Sequence, residues 1–86
     1  MKTGIIVYIS GNTPEKFNFN KHMLTEKLRF NVDKVELVSA GLGHFDIPDA
    51  WWALTAKGMH LIYCMMARFS ETGELEFSTD KLRLCG

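Results

Sequence analysis

The residue pattern predicts a small α/β domain in the order β-α-β-α-β-β, with a mostly parallel three-stranded core, two helices and a C-terminal antiparallel hairpin strand. Three observations carry this reading. Residues 5–9 are apolar throughout and residues 59–69 mostly apolar on both alternating faces, as strands inside a covered parallel sheet are. Two segments with helix caps and helical spacing separate the strand-like runs, and connections of that kind join parallel strands. The chain, residues 1–86, is 47% hydrophobic and 23% charged, enough for one small sheet and one domain but not for a second core.

Residues 2–10 form the first strand, because Ile5, Ile6, Val7, Tyr8 and Ile9 are β-branched or aromatic and end at a Ser-Gly-Asn turn signal. Thr13, Pro14 and Glu15 have the form of a cap followed by proline in a first helical turn, but the Phe-Asn-Phe-Asn run that follows is a poor helix former. The first helix is therefore placed over 20–30. Asn20 caps it, Met23, Leu24 and Leu28 face inward, and Asn31 takes the left-handed stop. A second strand covers 33–40, with Val35, Leu37 and Ser39 on one face, Glu36 and Val38 on the other, and Gly41 at its end.

The second helix starts at the cap Asp46, tolerates Pro48 in its first turn, gains from Asp49 at the positive end of its dipole and stops at Gly58. Ile47, Trp51 and Leu54 form its inward stripe. Helix neighbours lie about 100° apart, so Trp51 goes to the core and Trp52 to the margin, where it is a candidate interface residue. Residues 59–69 make the long middle strand. Gly73 then turns a hairpin in which Leu75 and Phe77 alternate with Glu74 and Glu76. An even-length loop would put Leu75 and Phe77 on the face of Cys64 and Met66, burying Cys64. Leu82 and Leu84 suggest a last short extended segment. The element order is similar to that of thioredoxin-like proteins, but there is no Cys-x-x-Cys and no proline immediately before the third strand, so the resemblance is one of order alone.

Composition narrows the function classes. Ten Lys and Arg balance ten Asp and Glu, and no basic run tracks a groove, which argues against nucleic-acid binding. The amino-terminal apolar stretch lacks the length of a secretory signal, and the run at 59–67 falls short of the roughly 20 residues of a spanning helix. A cytoplasmic protein that neither enters nor crosses a membrane is expected. Cys64 and Cys85 are too few and too far apart in sequence for a disulfide framework or a redox pair, so both are expected as reduced thiols.

Ligands of open α/β sheets collect outside the carboxyl ends of the parallel strands. The loops expected there are polar. One carries Ser10, Asn12 and Thr13, and the other Gly41, Gly43, His44 and Asp46, where freed backbone N–H groups could hold a small anion or a nucleotide. Neither loop has a phosphate-binding fingerprint. Loops of this composition also arise from turn and capping chemistry alone. Among His22, His44, His60, Asp46, Asp49, Cys64 and Cys85 no zinc spacing occurs, so no metal and no cofactor is expected, and His60 on an apolar run reads as a hydrogen-bonded core histidine. Ser10, His44 and Asp46 are the one set that loop positions could assemble for hydrolysis, but no nucleophile elbow accompanies them, and no catalytic residue is assigned.

Cys85, followed by glycine, resembles in position the C-terminal cysteine arms of sulfur-relay carriers, and the resemblance implies a thiol that carries sulfur or redox equivalents. The plainer alternative is a small hydrophobe finishing the last strand. The leading expectation is an interaction or regulatory module, self-associating as a homodimer or bound to a protein partner, without catalysis of its own. The alternatives are the Cys85 thiol carrier and the anion or nucleotide binder.

Overall fold

The computed structural model describes residues 1–11, 13–14, 17, 19–39 and 42–85, with Leu42 given by its backbone alone. At its centre β1 (Thr3–Ser10) pairs in parallel with β2 (Lys34–Ser39) on one side and β4 (Leu61–Phe69) on the other. The short β3 (Leu42–Gly43) turns back antiparallel on Ser39, while β5 (Leu75–Phe77) and β6 (Arg83–Leu84) both run antiparallel to β4. The order is β3-β2-β1-β4-β5, with β6 also beside β4. This is the expected mixed, mostly parallel α/β sheet with two helices, and the last extended segment is β6. No helix among the described residues is long and apolar enough to cross a membrane.

Period-2 alternation along β1 sends Ile5, Val7 and Ile9 to one face and Ile6 to the other, so one strand supplies two cores. The first core joins them to Leu24 of α1 (Lys21–Thr25), Val32, Met65 and Ala67. The second joins Ile6 and Val38 to Ala50 and Leu54 of α2 (Ile47–Ala56) and to Ile62. Each fully buried aliphatic side chain contributes roughly 1.5–3 kcal/mol. Val35 and Leu37 pack on the first core and Val38 on the second, as their alternation requires.

The second helix matches its sequence signals. Asp46 accepts from the Asp49 N–H at 2.9 Å, Pro48 lies in the first turn, and Gly58 beyond the end has φ +82°. Ile47 and Trp51 pack on the second core, and Trp51 is half-buried while Trp52 is 66% exposed. Gly4 lets the helix approach, since a Cβ there would press on the Leu54 and Met59 side chains at 3.0 Å.

Three local expectations are corrected. The first helix keeps its Asn20 cap, which accepts from the His22 N–H, but it ends at Thr25, and among the described residues none other than glycine takes a positive φ, Asn31 included. Leu28, Phe30 and Val32 all pack on the first core, an every-second-residue spacing that a continuing helix would not keep on one face, and the chain bends through residues 28–30 instead. Phe30 reaches Tyr63 at 5.2 Å between ring centroids. The hairpin pairs Phe69 with Leu75 and Ala67 with Phe77, so Leu75 and Phe77 fall on the first core and not on the Cys64 face. The intervening loop has an odd number of residues, closed by the Ser70 N–H to the Glu74 carbonyl at 2.8 Å and by Gly73 at φ +85°. The long strand begins at Leu61, not residue 59, which leaves His60 exposed just before it.

Candidate functional site

α2 packs over β2 and β1 and little over β4, and it runs from Ile47 near the carboxyl end of β1 to Leu54 against Gly4 near its start. One part of this face therefore stays open. Tyr8 and Met66 are cross-strand partners there, 40% and 44% exposed, toward the carboxyl ends of β1 and β4. Ligands of parallel sheets sit at such ends.

The far wall comes from the edge chain. β5 pairs Phe77 with Ala67, but β6 pairs Arg83 with Cys64, so the edge uses three residues more than β4 does over the same stretch. The surplus is taken up between Ser78 and Leu82, where the chain forms a 3-10 turn at Thr79–Lys81. Between this turn, the first residue of α2 and the open strands lies a cleft of about 620 Å³, with Tyr8, Met66, Cys64 and Ile47 as its floor and walls and Asp80, Lys81 and Arg83 at its rim. Among the described residues no ion pair engages Lys81, Arg83 or the nearby Arg68. A cleft of this size with an apolar floor and a few charged rim groups is suited to holding a ligand through burial and orienting it through charge.

The polar residues expected to form a site lie elsewhere. Ser10 donates its hydroxyl to the Ala67 carbonyl of β4 at 3.4 Å. The Thr13 hydroxyl is buried without a hydrogen-bond partner, in a groove shared with Phe69, Ser70 and Thr72 of the hairpin. On the other side of β1, the His44 Nε2 meets the Glu36 carboxylate at 3.0 Å and Lys57 meets its second oxygen at 2.9 Å. Burial by itself would raise the Glu36 pKa, but the hydrogen bonds from Lys57 and His44 outweigh it and hold the carboxyl below its ordinary value. The His44 backbone is bound as well, its N–H to the Leu37 carbonyl at 2.8 Å. Gly43, at φ +74°, makes that turn possible, since a Cβ would collide with the Leu37 carbonyl oxygen. Asp46 is occupied as the helix cap. Asn12 and Gly41 lie outside the described residues. Among the described residues, then, His44 is joined to β2 and α2, and Ser10 to β4, with no hydrogen bond between the two loops. No three of His, Cys, Asp or Glu among these residues converge as metal ligands.

Cys85 lies against the sheet. Its N–H donates to the Ile62 carbonyl at 2.6 Å, and it packs on the second core together with Cys64. Burial and then the neighbouring Cys85 thiol push the Cys64 pKa up to about 12, against the smaller opposing pull of Arg83. Both cysteines are free thiols.

Sequence reading missed the cleft. Its signal was the phase of the apolar residues: Leu75 and Phe77 occupy odd positions and Leu82 and Leu84 even ones, which requires an odd number of surplus residues between two segments on one edge. No family model matches the chain, and no curated protein or solved structure matches it either.

Proposed function

We propose that this chain is a small interaction module that works by binding, without catalysis of its own, and that its contact surface is the cleft over the carboxyl ends of β1 and β4. One observation carries the reading: Tyr8 and Met66 stay exposed side by side where α2 leaves the sheet uncovered. Adjacent apolar side chains held open to water favour a partner that buries them. Lys81 and Arg83 at the rim favour a partner that brings an anionic group beside an apolar one, such as an acidic segment of another protein with a leucine or phenylalanine at its centre. The cytoplasm, where a reducing milieu returns thiols to the free form, is the compartment this reading assigns.

The test uses short synthetic peptides, one set with a central leucine or phenylalanine flanked by Asp and Glu, the other with the same centre flanked by Lys. NMR signals of the Met66 methyl and the Tyr8 ring should shift with the acidic set only, and the double variant Lys81→Glu, Arg83→Glu should reverse the preference. Equal shifts with both sets, or none at Met66 and Tyr8, would remove the proposal. A second reading, self-association, is favoured by Trp52, an exposed aromatic residue on α2 of the kind that anchors interfaces.

A further inference from the structure

The fold brings together two cysteines that lie far apart in sequence. β6 pairs Arg83 with Cys64 and Leu84 with Tyr63, and the next residue, Cys85, continues the ladder through its hydrogen bond to the Ile62 carbonyl. Residues opposite one another across antiparallel strands share a face, so Cys85 falls on the face of Ile62 and therefore of Cys64, two residues farther along β4. Both side chains pack on the cluster formed by Ile6, Val38, Ala50, Leu54 and Ile62. They are diagonal neighbours across a two-residue ladder, and a ladder that short yields readily to the small adjustment a disulfide requires.

We propose that Cys64 and Cys85 are a modification site, a dithiol that a hydroperoxide converts reversibly into an intramolecular disulfide fastening β6 to β4. This stands apart from the binding reading, since it needs no occupant in the cleft. The order of events follows from the two environments. Burial and the neighbouring thiol disfavour the Cys64 thiolate, which favours Cys85 as the first attacking sulfur. The Cys85 thiolate displaces hydroxide from the peroxide: the O–O bond breaks, an S–O bond forms, the sulfur is oxidised to sulfenic acid and the peroxide is reduced. The Cys64 sulfur then attacks the sulfenic sulfur. The S–S bond forms, the S–O bond breaks, and the departing hydroxide takes the Cys64 proton and leaves as water. Added together, two thiols and one hydrogen peroxide give one disulfide and two waters. A dithiol reductant reverses the change by exchange.

Hydrogen peroxide is added in small steps to the native chain, and remaining thiols are trapped with N-ethylmaleimide before intact-mass analysis and peptide mapping. The expected result is the concerted loss of both labels with the loss of two hydrogen atoms, a linked peptide pair containing Cys64 and Cys85, a first-order second step whose rate is unchanged on tenfold dilution of the protein, and full return with dithiothreitol. Cys64→Ser should stop at a sulfenic acid on Cys85 that a dimedone probe labels, which keeps the test open even if Cys85→Ser folds poorly. Links only between molecules, or overoxidation of Cys85 while Cys64 stays free, would overturn the proposal.

Discussion

At Glu36 two effects oppose each other, and pairing wins over burial. The carboxylate is 14% exposed, yet its two oxygens accept from His44 and Lys57, and its pKa lies below the ordinary 4.5. A carboxyl whose pKa is lower in the folded chain than in the unfolded one contributes its full stability above the unfolded value and loses it as pH falls through the folded value. Urea unfolding followed from pH 7 down to pH 3 should therefore show stability falling below about pH 4.5, and Glu36→Gln should flatten that part of the profile. At pH 7 the same substitution should cost about 1–2 kcal/mol, discounted from a buried charged hydrogen-bond network because Lys57 is half exposed. An unchanged acid limb in the variant would mean that other carboxylates set it. In the described geometry His44 ties the turn after β2 to the sheet and, through Glu36, to α2.

Among the elements, those whose signals agree were legible and those whose signals compete were not. In α2 the cap, the proline, the inward stripe and the terminal glycine all agree, and the helix begins one residue after its predicted cap. In residues 20–30 a good cap competes with the alternate spacing of Leu28, Phe30 and Val32, and burial of those side chains outweighs helix propensity, which is worth only tenths of a kcal/mol per residue. The predicted consequence is unequal sensitivity. Asp46→Ala should cost about 1 kcal/mol through the lost cap, whereas Phe30→Ala should cost about 3 kcal/mol by removing a ring packed on Tyr63, as read from equilibrium denaturation. A Phe30 variant as mild as the cap variant would argue that propensity, not packing, ends α1. The cleft was hidden for a related reason: composition marks polar loops as sites, but its floor is built from Tyr8 and Met66, residues that read as ordinary strand. The phase change after Phe77 was visible, although without a partner register it names no geometry.

For the molecule as a whole, Trp51 and Trp52 offer the test of the self-association reading. Their rings meet edge to face at 5.0 Å, but only Trp51 packs on the second core. Sedimentation of Trp52→Ala should show weaker self-association with little loss of fold stability, whereas Trp51→Ala should lower the denaturation midpoint at every protein concentration. Unchanged sedimentation for Trp52→Ala would leave that tryptophan outside any interface. The central place of β1 also sets an order in time. Ile5 pairs with Val35 on one side and with Tyr63 on the other, so during synthesis the first-made strand can gain one neighbour early but must wait for β4 to emerge before its second edge is closed. Until then Ile5, Val7 and Ile9 lack Met65 and Ala67, and an apolar strand with an open edge stands exposed to other nascent chains. A sheet whose innermost strand is translated first thus carries, while the chain is still being made, an open apolar edge that the finished fold closes.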